Sequence, residues 1–222
     1  MKIVFDSGVL ITFSETCFLG LFEDLKKELG EFIITNSVLD ESVLRAKKIM
    51  RFKLSGIRIE EKINFNVFNI FKGSKELDEV TKKILELTNN MFYINNRPLK
   101  IIQLGEAECL ALLGLTNANY LAVDERTTRM LIEQPHGLLK ILKRKNNTNK
   151  ISFDENKYIK FKELIGNVNA IRSVDLLAFA YKKKLLKDLY LNKENIKASL
   201  YAFKFRGCSV SFEEINEFVD NL

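Results

Sequence analysis

The sequence predicts an α/β protein with a parallel sheet covered by helices on both faces. Three observations carry that expectation. Short apolar runs (Ile3-Val4-Phe5, Phe32-Ile33-Ile34 and residues 120–123) alternate with segments of helical apolar spacing, the order that gives crossover-connected parallel strands. Each run is stopped by polar residues: Asp6, then Thr35-Asn36, then Asp124-Glu125. The 222 residues are 46% hydrophobic and 29% charged, with 2 Pro and 10 Gly, which excludes a disordered or collagen-like chain and suffices for a real core.

The elements follow in order. Lys2–Phe5 reads as a buried strand. After Gly8 an apolar helix runs through Leu10, Ile11, Phe18, Leu21, Phe22 and Leu25. The second strand is followed by a helix with Ser37 as N-cap and Asp40 and Glu41 in its first turn. From about 45 to 100 the chain is rich in Lys, Asn and Phe and breaks the alternation, although 75–87 has helical spacing. The pattern resumes afterwards, so this stretch reads as an insertion within one domain spanning 1–222. Its Phe65, Phe68, Phe71, Met91 and Phe92 are too many large apolar groups for a free loop, and are expected to pack on the sheet domain or on a second copy. Residues 100–103 form another short apolar run, and Leu104, Ala107, Leu110, Ala111 and Gly114 give a helix apolar on most sides. A basic helix is expected from Arg126 to about Glu133, and the five cations of 140–150, with no acid among them, read as a solvated loop. The tail predicts helices at 174–186 and 194–205, a stop at Gly207, a short strand at 208–212 and a closing helix at 213–222.

No stretch approaches the roughly 18 apolar residues that a membrane helix needs. The N-terminus reaches Asp6 at once, unlike a secretory signal. Cys17, Cys109 and Cys208 stand far apart without paired spacing and read as reduced thiols. A cytoplasmic protein with no membrane partner is therefore expected. Its 35 basic and 29 acidic residues leave a formal charge of +6, compatible with a polyanionic partner bound by the basic stretches 140–150 and 182–187.

The acids are informative by position. Asp6, Asp124 and Glu125 follow predicted strands, Glu41 lies in the first turn of a helix after a strand, and Glu106 and Glu108 open the buried helix. In an open parallel sheet these places share the edge where the strands end. Any one such acid is accounted for by capping or by the helix dipole. Several segments delivering acids to one edge call instead for a cation, and oxygen-only ligands suit Mg²⁺ or Mn²⁺. No Walker loop, no G-x-G-x-x-G after the first strand, no G-x-S-x-G elbow and no zinc-type His/Cys set is present, and His136 reads as an ordinary surface residue. Phosphodiester hydrolysis fits what is left.

Asp6-Ser7-Gly8 with Leu10-Ile11 resembles the opening motif of PIN-domain nucleases. Val38-Leu39-Asp40-Glu41 is similar to their second motif, Gly105-Glu106-Ala107-Glu108 to the third and Val123-Asp124-Glu125-Arg126-Thr127-Thr128-Arg129 to the fourth. The stretch from Lys204 to Ser211 looks like the tail of an archaeal subgroup. The resemblance implies a three-layer α/β/α PIN-like fold with a short central parallel sheet and a helical insertion. It implies a ribonuclease, toxin-like or RNA-processing, using Mg²⁺ or Mn²⁺, with Asp6, Glu41, Glu108 and Asp124 as the catalytic acids. Glu106 and Glu125 are alternative metal ligands. Glu106 and Glu108 diverge by about 200° around a helix, and Glu108 is favoured. Ser7, Arg126, Thr127 and Arg129 are candidates for phosphate contacts. The expected partner is RNA, single-stranded, with a second copy of the chain or an inhibitory protein as candidate protein contacts. A non-catalytic PIN-fold module binding RNA or protein is the alternative.

Overall fold

Ile3, Val4 and Phe5 are all fully buried, as a strand apolar on both faces must be when helices cover it from each side. The computed structural model describes residues 1–221, apart from the side chain of Leu189; residue 222, at the end of the expected closing helix, lies outside it. The first half of the chain runs β1 (Lys2–Phe5), α1 (Ser7–Glu15), α2 (Phe22–Leu29), β2 (Glu31–Ile34), α3 (Asn36–Leu39), α4 (Lys53–Asn64), β3 (Asn69–Ile70), α5 (Lys75–Thr88), β4 (Phe92–Ile94) and β5 (Arg97–Pro98). The second half runs α6 (Leu104–Thr116), β6 (Tyr120–Ala122), α7 (Arg126–Glu133), α8 (Pro135–Lys145), β7 (Ile151–Phe153), α9 (Glu155–Ile165), β8 (Asn169–Ile171), α10 (Ser173–Lys182), α11 (Lys193–Phe205) and α12 (Phe212–Asp220).

The architecture is α/β, a three-layer α/β/α arrangement around a five-stranded parallel sheet in the order β3-β2-β1-β6-β8. Ile3 pairs with Phe32 on one side and Tyr120 on the other, which centres β1 in the sheet. A second, antiparallel sheet joins β5, β4 and β7. One face of the main sheet is filled by an aromatic cluster in which Phe5 lies 4.8 Å from Phe32, 5.3 Å from Phe68 and 5.4 Å from Phe22, ring centre to ring centre. None of the helices is long and apolar enough to cross a membrane among the described residues.

The 45–100 stretch enters the sheet itself. It supplies β3, whose Asn69 and Ile70 pair with Ile33 and Ile34, and buries Phe68, Met91 and Phe92, while Phe65 stays 68% exposed. It also leaves Ile49, Met50, Leu54 and Ile57 exposed.

Several local expectations are corrected. The helix expected through residues 10–25 is broken at Cys17, whose φ of +64° cannot continue a right-handed helix. Thr35, not Ser37, caps α3, its Oγ1 accepting the Val38 N–H at 3.3 Å. Asp40 pairs with Arg45 at 2.6 Å. Residues 140–145 belong to α8 and are not a loop, because Leu138 and Leu142 bury one helical stripe beneath the cations. Residues 208–211 form no strand; Ser211 instead caps α12, accepting the Glu214 N–H at 3.0 Å.

Candidate active site at the carboxyl edge of the sheet

β1 stops at Phe5 and the chain enters α1 at once, so Asp6 occupies the N-cap, its Oδ2 accepting the Gly8 N–H at 3.1 Å. A Cβ at Gly8 would stand 3.2 Å from that oxygen, so glycine leaves the carboxylate its room. The Asp6 N–H donates to the Ala122 carbonyl at 2.9 Å, locking this corner to β6. Burial pushes the Asp6 carboxyl from 3.8 up to about 7 against the pull of the Gly8 N–H, and the charges of Glu106 and Glu41 add to the rise.

Glu106 sits in the first turn of α6 and closes a reciprocal cap: its Oε2 accepts the Gln103 N–H at 2.6 Å. Its Oε1 accepts the Thr128 hydroxyl of α7, also at 2.6 Å. Burial raises its pKa, those two donors lower it, and Glu125 and Glu41 raise it again. Glu41 is exposed on a single π-helical turn, Asp40–Arg45, a distortion common at functional sites. Its Oε2 is 3.9 Å from where a Cβ on Gly105 would sit, which puts it over the first turn of α6. Glu125 is exposed and caps α7, its Oε2 accepting the Thr128 N–H at 2.7 Å.

Asp124 is different. Only 4% exposed, it accepts the Thr12 hydroxyl at 3.0 Å and the Ser173 hydroxyl at 2.6 Å on Oδ2, and the Ser173 N–H at 2.8 Å on Oδ1. It joins α1, the end of β6 and the start of α10. Its charge, after burial, also holds the Cys208 thiol well above its ordinary range.

Asp6, Glu41 and Glu106 thus lie within reach of one another's charge, and Glu125 within reach of Glu106's. Glu108 and Asp124, the other two acids expected at the site, sit in different surroundings. The turn of α6 separates Glu108 from Glu106, but the charges of Asp6, Glu108 and Glu106 all reach the buried Cys109 thiol, which burial and those charges together push up. Asp124 faces the hydroxyls beneath the edge. Ser7 is buried in the first turn of α1, Arg126 is exposed and Thr127 half-buried. Arg129 reaches Glu133 only at 3.8 Å and keeps a buried Nε without a hydrogen-bond partner.

A cleft of about 560 Å³ opens beside Glu106 and Glu125, walled by Leu85 and Asn89 of α5 and by Lys100 and Leu104. Among the described residues no three His, Cys, Asp or Glu side chains stand close enough to hold a metal ion between them. The chemistry of the donor set, carboxylate oxygens only, nonetheless fits a hard divalent cation.

Sequence reasoning missed Thr12, Gln103, Thr128 and Ser173, which hold the acids, and the α5 residues that wall the cleft. The one local signal for Ser173 was Asp175, whose Oδ2 accepts the Arg172 N–H at 2.9 Å and marks the helix start that carries it. No family model, curated protein or solved structure matches the chain.

Proposed function

We propose that the protein is a metal-dependent ribonuclease of the PIN-like type, acting in the cytoplasm on single-stranded RNA with Mg²⁺ or Mn²⁺. One observation carries this: Asp6, Glu41 and Glu106, from three distant segments, lie at one sheet edge, where burial pushes the Asp6 carboxyl up to about 7 and the charges of Glu106 and Glu41 add to the rise. Folding tolerates such repulsion where a ligand of opposite charge offsets it. Asp6, Glu41 and Glu106 would hold the cation, with Glu125 at its margin. A bound divalent ion would supply an activated water and charge stabilisation at phosphorus. Arg126 and Arg129 would grip the scissile phosphate, and the adjoining cleft would take the flanking nucleotide.

The alternative, a non-catalytic RNA- or protein-binding module, is favoured by Asp124, whose two oxygens are already engaged by three donors. The two separate cleanly. Purified protein incubated with mixed RNAs should cleave them with Mn²⁺ or Mg²⁺ and stop with chelator, and Asp6→Asn should lose cleavage by at least about 100-fold. Binding without cleavage, or cleavage indifferent to chelator and to Asp6→Asn, would overturn the nuclease proposal.

A further inference from the structure

A second polar cavity lies at the far end of α1. That helix carries Asp6 at its start and Ser14 and Glu15 at its end, about 13 Å away for nine residues at the helical rise. There Ser14, Glu15, Arg51, Ser55, Arg58 and Arg206, with Leu54 as the one apolar wall, line a cavity of about 230 Å³. Organic-ligand pockets begin at roughly 300 Å³, so this one suits a single small group.

The lining is built for an anion. Ser55 and Arg58, three residues apart, share one face of α4, and Arg51 stands in the turn that leads into it. Arg206 is fixed by its Nη1, which donates to Glu15 Oε2 at 2.6 Å. Arg51 is stacked over the Phe52 ring at 5.2 Å. Neither Arg51 nor Arg58 has a carboxylate partner among the described residues. With three guanidinium groups and one carboxylate, the cavity carries a charge of +2. The N-cap of α4, Phe52, offers no side chain to that helix's first N–H groups. Independently, Ser55 is 8% exposed and its hydroxyl has no hydrogen-bond partner, although Ser14 donates to its carbonyl at 3.3 Å. A buried hydroxyl left unpaired beside three guanidinium groups and an uncapped helix start is an arrangement completed by an acceptor.

We propose that this cavity binds a phosphate monoester or inorganic phosphate. Such a group carries a charge of about −1.5 to −2 at neutral pH, matching the site, and its three acceptor oxygens suit the guanidinium forks. The site is separate from the acidic edge and does not depend on catalysis there.

The test uses the full chain with chelator present. Titration with inorganic phosphate should raise the melting temperature saturably, against chloride at equal ionic strength. Arg58→Gln and Arg51→Gln should each weaken phosphate binding by about tenfold or more, while Arg58→Lys should restore part of the loss. Asp6→Asn should leave phosphate binding unchanged, which separates this site from the edge. Tighter binding of a 5′-phosphorylated oligonucleotide than of its 5′-hydroxyl form, lost in Arg58→Gln, would identify an RNA end as the ligand. Saturation by inorganic phosphate without that preference would identify the free ion. A response no larger than that to chloride, or one that survives both arginine changes in folded protein, would overturn the proposal.

Discussion

Asp6 couples the chemistry of the edge to the stability of the fold. Its carboxyl titrates at about 7 in the folded protein and near 3.8 when unfolded, so between those values the folded state binds the extra proton. Stability should therefore be highest below pH 4 as far as this group is concerned, and should fall as pH rises through 7. The shift bounds the loss at about 4 kcal/mol. Asp6→Asn keeps the capping acceptor and removes the charge, so in chelator it should gain about 1–3 kcal/mol at pH 8 and flatten this part of the pH profile. Urea melts at pH 5 and pH 8 decide it; a mutant less stable at pH 8 would show that Asp6 is a structural cap. Asp124 predicts the reverse. Asp124→Asn sets an amide donor against the Thr12 and Ser173 donors and should cost about 2–4 kcal/mol, metal or no metal. Equal stability of that mutant and the parent would show that its hydrogen bonds count for little.

The strands and helices that were legible from the sequence are those with strong periodicity. Ile3-Val4-Phe5 and Phe32-Ile33-Ile34 announce β1 and β2 because every residue is buried, whereas β8 passed unseen because Asn169-Ala170-Ile171 is too short and mixed to stand out. The acids on the strand ends were legible for the same reason, through the strands they terminate. Which of two neighbours faces the edge was not, since Asp124 is claimed by Ser173, 49 residues further on, and only the fold brings them together. Gly114 is another such long-range fact. A Cβ there would meet the Leu164 carbonyl at 2.1 Å, so α6 and α9 pack through the missing side chain. Gly114→Ala should push the helices apart and cost about 1–3 kcal/mol despite alanine's better helix propensity. A stabilised mutant would show that the two helices part freely.

At the scale of the whole molecule, one cluster of cations stands at the end of α8. Lys140, Lys143, Arg144, Asn147, Thr148 and Asn149 line an open depression of about 490 Å³ at the end of α8, with no acid on its wall. If RNA crosses it, affinity should fall with salt at a log–log slope of about −2 for three engaged cations, and each of Lys143→Gln and Arg144→Gln should reduce that slope by about 0.7. A flat response between about 50 and 200 mM salt would remove the depression from the RNA path. The 45–100 stretch should resist excision by protease, because β3 and Phe68 are part of the sheet and its aromatic core; a stable remainder lacking it would contradict that placement. The sheet order also fixes a timetable. Ile3 waits for Tyr120, and Tyr120 for Asn169, so a chain emerging from the ribosome carries β1 and Asp6 long before their neighbours exist. Pairings of such separation are slow to form. Asp124 stays in water until Ser173 has been made, and the edge acquires its floor last. A nascent chain released before α10 would thus carry Asp124 without the Ser173 donors that hold it, and this corner of the fold sets late.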